Sequence, residues 1–169
     1  MALTVAPDPT IVITHPNRDA AASKATRALV LVLLVVSAVL VLVLTIGAQG
    51  ARAGALPFQV FIGALYVLFT YLVLKWRSGA LPIAAATAII AGVFGAVSVR
   101  GWFDRTGVGF TNPVLPDALM GLLVLAFAIV QVPLLIFCLR GFQQQWQVEL
   151  EMPLEQAERE GHPYHSLPA

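Results

Sequence analysis

Four apolar stretches of the chain are long enough to cross a lipid bilayer, and shorter polar segments separate them. None of the four contains Asp, Glu, Lys, Arg or His; they run Ala28–Ile46, Pro57–Leu74, Pro82–Val99 and Ala118–Leu139. A transmembrane helix needs about 20 predominantly apolar residues. The stretches lack the alternation typical of barrel strands, so helices are the structure expected to span the membrane. The pattern predicts an all-α integral membrane protein, a four-transmembrane-helix bundle with short loops over residues 28–140.

The third stretch carries a face made almost entirely of small side chains. Its small residues recur three and four positions apart, the spacing of one helix face; they are Ala84, Ala88, Ala91, Gly92, Gly95 and Ala96. Helices in lipid associate mainly through van der Waals packing, and small residues let their backbones approach closely. We therefore predict that this helix-packing face is where the other helices meet residues 82–99.

Residues 1–27 differ from the spans because they are polar and contain three prolines. Such a composition favours a disordered N-terminal arm. The basic residues of this arm and the triplet Ala51-Arg52-Ala53 also resemble a cleaved signal peptide. Signal-peptide apolar regions are only about 7–15 residues long, so we expect the first span to be retained as a transmembrane helix.

The distribution of basic residues predicts the orientation of the chain. With both termini cytoplasmic, seven of the ten lysines and arginines lie on the cytoplasmic side: Arg18, Lys24, Arg27, Lys75, Arg77, Arg140 and Arg159. Cytoplasmic loops of membrane proteins carry an excess of Lys and Arg. We expect the N-terminus and the C-terminus inside, and the loop after the third span outside.

The C-terminal tail, residues 141–169, is acidic and starts with apolar residues four positions apart: Phe142, Trp146 and Leu150. This spacing predicts that the last helix continues beyond the membrane with a stripe for docking a partner. Acidic segments match anionic lipid surfaces poorly, so a protein partner suits the stripe better. The alternative is a frayed, solvated extension.

Gln131 is the most polar residue near the middle of the fourth span, and Pro133 follows it. We expect its amide to reach across to the second span, where Tyr66 and Thr70 offer hydroxyl groups. The interpretation as an intramembrane site, a substrate or gating position, competes with ordinary packing around a tolerated proline. Interhelical polar contacts of this kind average only about 0.6 kcal/mol.

The loop after the third span is the most chemically mixed segment and is a candidate outer-loop site for a ligand or partner. Its candidate residues are Trp102, Asp104 and Arg105. The ordinary alternative is an interfacial tryptophan beside an exposed ion pair, since such pairs contribute about 0–1 kcal/mol.

Composition narrows the chemistry further. The chain is 59% hydrophobic and 11% charged with a net charge of +1, so nothing indicates nucleic acid as a partner. The single cysteine, Cys138, cannot form an internal disulfide.

All three histidines lie in the polar tails, whereas haem in a helix bundle needs inward-facing ligands. Two of them, His162 and His165, flank a proline near Glu160 in an end that we expect to be unstructured rather than metal-binding. We expect no cofactor and no catalytic residue.

Three classes of function remain. The first is a non-catalytic accessory or scaffolding subunit that docks on another integral membrane protein or on copies of itself. The second is a small transporter or channel with a polar path near Gln131 and Tyr66. The third, an enzyme acting through Asp104, lacks a partner base or metal ligand. We favour the first class because of the smooth apolar spans, the small-residue face, the acidic tail and the lack of reactive groups. The chain is rich in Ala, Val, Leu and Arg and has only two lysines, so we expect the bilayer of a bacterial cytoplasmic membrane.

Overall fold

The computed structural model describes residues 11–48, 56–104, 114–161 and 164–166 of the chain. These residues form six helices and three short strands. In chain order they are β1 (Ile11–Thr14), α1 (Pro16–Asp19), α2 (Ala21–Gly47), α3 (Leu56–Leu74), α4 (Ala80–Asp104), α5 (Asp117–Gln143), β2 (Leu150–Pro153), α6 (Leu154–Glu160) and β3 (Tyr164–Ser166).

The four long helices, α2 to α5, correspond to the four predicted spans. Each is long and apolar enough to cross a membrane, which confirms this part of the prediction. Their outward surfaces expose many large apolar side chains, and Val97 is 77% exposed. Soluble monomers rarely expose contiguous apolar surface on this scale, so the surface suits a lipid environment.

The long helices pack around one shared apolar core. α4 and α5 form the most extensive contact, α2 packs against both α3 and α5, and α3 packs less extensively against α4. α2 is apolar on every face, and most of its span is exposed on the outward surface. One side of it, with Val30, Leu34 and Ser37, is fully buried against the other helices.

Most of the small residues on α4 lie where this helix meets its neighbours. Ala84, Ala88, Ala91 and Gly95 are buried, Gly92 is half-buried, and Ala96 is exposed at the edge of the face. A Cβ atom added at Gly95 would lie 3.3 Å from the Cβ atom of Ala128 on α5. The missing side chain therefore permits the close approach of α4 to α5.

Gly92 gives a direct test of this packing. A Cβ atom at Gly92 would lie 3.1 Å from the Cβ atom of Gln131, so Gly92→Leu forces α4 and α5 apart. Overpacking typically costs about 1–3 kcal/mol, and we expect the free energy of unfolding to fall by this amount. Ile90→Leu is the matched control, because Ile90 is exposed on the same helix. Equal stability of the two variants in detergent unfolding would contradict the packing role.

A three-stranded sheet joins the two ends of the chain outside the long helices. β1 lies in the middle and pairs antiparallel with both C-terminal strands, in the order β2-β1-β3. Val12 faces Met152 across this sheet, and both side chains pack with Ala157 of α6 in a small separate core. The structure thus differs from the expected all-α fold, and it gives residues 11–27 as strand and helix where a disordered arm was expected.

A cluster of aromatic and basic side chains lies at the end of the long helices, beside the segments that lead into the sheet. We call Arg27, Trp76 and Trp146 the tryptophan clasp. The Arg27 guanidinium lies 4.2 Å from the Trp76 ring centroid, and the two tryptophan rings meet edge to face at 5.4 Å. Arg18 donates a 2.9 Å hydrogen bond to the backbone carbonyl of Trp146. The contacts bring the N-terminal and C-terminal segments to the same end of the helices.

The predicted docking stripe does not form one helix face, because α5 ends at Gln143. Gln145 adopts a left-handed backbone conformation with φ of 48°, which turns the chain away from the helix axis. Trp146 is then fully buried in the tryptophan clasp, while Phe142 and Leu150 are exposed on different elements. The three apolar residues are thus four positions apart in sequence but lie in separate environments, and the prediction of a continuous helix was wrong.

The strand register predicts a specific cross-link. Val12→Cys and Met152→Cys place two thiols on directly opposed residues of one sheet face, so we expect a disulfide to form under mild oxidation. Ile13→Cys with Met152→Cys is the control, because successive side chains of a strand point to opposite faces. Thiol counting by alkylation and mass spectrometry distinguishes the pairs. Equal cross-linking in both would contradict the register.

Candidate functional site

The most polar site within the long helices is centred on Gln131 of α5, whose side chain is 3% exposed. Its Oε1 atom accepts a 2.7 Å hydrogen bond from the Tyr66 hydroxyl on α3. Its Nε2 atom donates to the Ser37 hydroxyl on α2 at 3.3 Å and to the Phe127 carbonyl at 3.0 Å. The Gln131 amide is therefore hydrogen-bonded through both its oxygen and its nitrogen, and it links three helices.

All four long helices approach this amide near their midpoints. Gly92 is the middle residue of α4, and Ser37, Tyr66 and Gln131 lie within about one turn of the centres of α2, α3 and α5. α4 contributes space instead of a polar group, since a Cβ atom at Gly92 would crowd the Gln131 side chain. We call Ser37, Tyr66, Gly92 and Gln131 the midplane cluster.

The expected contact between Gln131 and Tyr66 is present in the structure, whereas Thr70 takes no part in it. The Thr70 hydroxyl donates instead to the Tyr66 carbonyl on its own helix at 2.7 Å. Pro133 has no N–H to donate to the Ile129 carbonyl, yet α5 continues through it. The amide of Gln131 bonds one turn earlier, at Phe127.

Ser37 is the partner that sequence reasoning missed. Serines in helices usually bond a carbonyl of their own helix, as Ser98 does with Phe94, so a lone serine gives little signal. The available signal was its position, near the middle of an otherwise apolar span and at the depth of Gln131.

A cavity of about 270 Å³ lies on one side of the midplane cluster, toward the helix ends opposite the tryptophan clasp. All four long helices line it, and most of its lining is apolar. Phe127 forms its inner wall and meets the Tyr66 ring edge to face at 6.3 Å. Gln59 and Ser98 supply polar groups, and Trp102 lies at the outer end.

The structure separates the residues of the candidate outer-loop site. Trp102 points inward, is 4% exposed and lines the cavity. Asp104 points to the surface, where it accepts a 3.2 Å hydrogen bond from Arg100 one turn earlier on α4. Arg105 lies outside the described residues. Trp102 and Asp104 therefore belong to different environments and do not form one site.

The described residues contain no group of three His, Cys, Asp or Glu side chains that would hold a metal ion. Cys138 is fully buried in the apolar core between the long helices. Comparison of the chain with protein-family models, with curated proteins and with solved structures finds no match. The four long apolar helices are compatible with a small multi-pass membrane protein.

The hydrogen bond between Tyr66 and Gln131 should have a measurable coupling energy. We expect a double-mutant cycle of Tyr66→Phe and Gln131→Leu to give about 0.6 kcal/mol, and at most about 1.7 kcal/mol, the range for interhelical bonds in membranes. Unfolding in mixed detergent micelles measures the four stabilities.

Tyr71→Phe provides the control for this cycle, because Tyr71 is exposed on the same helix. Its coupling with Gln131→Leu should be close to zero. A coupling energy for Tyr66 no larger than that for Tyr71 would show that the observed hydrogen bond does not stabilise the helix packing.

Proposed function

We propose that this protein is a non-catalytic accessory or scaffolding subunit of a cytoplasmic membrane, with a four-helix bundle that anchors a small folded unit at the membrane surface. The observation that carries the proposal is the sheet built from both ends of the chain, whose flanking segments are joined at one end of the helices by the hydrogen bond from Arg18 to the Trp146 carbonyl. We call β1, β2, β3 and α6 the terminal module. A folded module at this position offers a surface to a partner.

The charge of the terminal module favours a protein partner over the lipid surface. Glu151 and Glu155 are exposed on it, on β2 and α6. Anionic lipids of an inner leaflet attract Lys and Arg and repel such carboxylates. The module would therefore stand away from the headgroups and remain accessible to a complementary basic surface on another integral membrane protein or on a second copy.

The proposed orientation places the terminal module in the cytoplasm. The tryptophan clasp brings the α3–α4 turn, with Lys75 and Arg77, to the same end as Arg18 and Arg27. That end holds most of the Lys and Arg of the chain, as the positive-inside rule requires of the cytoplasmic side. A bacterial inner membrane is consistent with this arrangement.

The polar side chains buried between the long helices support a structural role for this protein. Gln131, Tyr66 and Ser37 bond one another across three helices. Side chains used in this way hold the helices in register and are not presented to a substrate. This supports a scaffold over a catalyst.

Purification in mild detergent through a tag on the N-terminus, followed by native mass determination, tests the proposal. We expect co-purification of a larger membrane protein, or a homo-oligomer, that is lost in the double variant Glu151→Lys with Glu155→Lys. Asp104→Lys is the control, because it reverses one charge at the opposite end of the helices. A lone monomer, or equal assembly in all variants, would contradict the proposal.

A small transporter or channel is the second candidate. The specific observation in its favour is the cavity that reaches Phe127, whose carbonyl accepts a hydrogen bond from Gln131. An oligomer or a shift of the helices would extend this cavity to Tyr66 and create a polar path. Ion pathways normally carry charged or histidine side chains within the membrane, and the predicted spans contain no Asp, Glu, Lys, Arg or His.

An energised uptake assay in vesicles distinguishes the two candidates. Transport that is abolished by Gln131→Leu, with assembly unchanged, would favour the second candidate. Absence of uptake together with a stoichiometric partner would favour the first.

A further inference from the structure

The cavity described above differs from the midplane cluster in chemistry and in its relation to lipid. Its lining is largely apolar, with side chains such as Val41, Leu44, Ile62 and Val124. Enclosed apolar cavities of about 150 Å³ stay dry and take up small hydrocarbons, because water loses hydrogen bonds inside them. The cavity here, of about 270 Å³, is partly open and mostly apolar, and it lies between helices that lipid would surround, so hydrocarbon is the material available to fill it.

The length and position of the cavity match one leaflet of a bilayer. On α4 it is lined from Ala91, beside the middle of the helix, to Trp102 near its end. At 1.5 Å per residue this distance is about 16 Å, close to half of the roughly 30 Å hydrocarbon thickness. The cavity thus extends from the membrane surface to the midplane, as an acyl chain does.

The volume restricts the class of ligand. Pockets for drug-sized molecules and cofactors usually measure about 300–1,000 Å³, so 270 Å³ suits a single narrow chain better than a ring system such as haem. The outer wall of the cavity lies between α3 and α4, which pack less extensively than the other neighbouring long helices. Phe58 and Phe94 form that wall with ring centroids 5.1 Å apart, and both are exposed on the lipid-facing surface.

Two polar side chains in the cavity lining, Gln59 and Ser98, suit the ester group at the end of an acyl chain. Ser98 donates its hydroxyl hydrogen to the Phe94 carbonyl and keeps its oxygen as an acceptor. The Gln59 amide has donors and an acceptor, and an ester carbonyl needs a donor. Gln59 and Ser98 both lie toward the outer end of the cavity, since Gln59 follows Phe58 near the start of α3 and Ser98 precedes Trp102 by about one turn of α4.

We propose that this cavity binds one acyl chain of a membrane phospholipid, drawn from the leaflet at the helix ends opposite the tryptophan clasp. The chain enters between α3 and α4 past Phe58 and Phe94, and its ester group lies beside Gln59. The bound chain fills the space that the small contact between α3 and α4 leaves open, so it acts as part of the helix packing.

Trp102 provides the readout, because it lines the cavity and is too buried to contact surrounding lipid freely. The full-length protein is reconstituted into phosphatidylcholine vesicles with or without bromine atoms in the half of the acyl chain nearest the headgroup. Bromine quenches indole fluorescence at short range. The Trp102→Phe variant gives the signal of Trp76 and Trp146, and subtraction isolates Trp102.

Ser98→Phe is the test variant, because it places a ring in the cavity, and Val97→Phe adds the same ring to the lipid-facing surface next to it. We expect Trp102 to be quenched in the unsubstituted protein and in Val97→Phe, and to lose most of this quenching in Ser98→Phe. Size-exclusion chromatography establishes that both variants are folded. If Ser98→Phe does not fold, the smaller Ser98→Leu replaces it with the same expectation.

Three results would overturn the proposal. The first is no quenching of Trp102 by the brominated phospholipid, and the second is equal quenching in the Ser98 and Val97 variants. The third is quenching by a brominated single-chain detergent but not by the phospholipid, which would assign the cavity to a free amphiphile. Native mass determination gives an independent check, since a retained phospholipid should be present in Val97→Phe and absent in Ser98→Phe.

Discussion

The arrangement of the long helices depends on one buried amide that must find its hydrogen-bond partners inside the protein. A side chain such as Gln131 has no water to bond within hydrocarbon, and each unsatisfied polar group there costs several kcal/mol. Three helices meet this requirement through Ser37, Tyr66 and the Phe127 carbonyl, and the fourth leaves out a side chain at Gly92. Because hydrogen bonds are directional, this set fixes the depth and rotation of the helices, which apolar packing alone would leave loosely specified.

The same principle of satisfying backbone and side-chain groups operates at the helix ends near the termini. The last carbonyls of α3 have no partner within the helix, and Arg27 donates to the Val73 and Leu74 carbonyls at 3.1 and 2.8 Å. The planar guanidinium also lies over the Trp76 ring, so one side chain joins α2, the end of α3 and the tryptophan clasp. A lysine would supply the charge that determines orientation but not this forked geometry.

The four spans and the contact between Gln131 and Tyr66 follow from the sequence, because long apolar runs leave few alternatives and few polar groups lie near midplane. Ser37 did not stand out, since its polarity is compatible with a bond within its own helix.

The three-stranded sheet was not predicted from the sequence for a different reason. Its strands have three or four residues and pair across more than a hundred positions, so no local pattern marks them. Trp146 was misinterpreted because helical spacing continues past Gln143, while the left-handed Gln145 depends on contacts from the N-terminal segment. For the candidate outer-loop site, the sequence showed which residues lie near one another along the chain. It did not show which of their side chains point inward from α4, so Trp102 and Asp104 were wrongly grouped in one site.

The central position of β1 in the sheet has a consequence for the biosynthesis of the protein. β1 is translated before all four spans, but Thr14 bonds to Leu150, which is made 136 residues later. At about 5–20 residues per second, β1 waits about 7–27 seconds for β2, until all four spans have been translated. During that interval its backbone groups and the sequence Ile-Val-Ile-Thr are open to pairing with other chains. The sheet can thus form only after the four spans and the strands β2 and β3 have been made, and a chain that terminates before Leu150 would leave β1 unpaired.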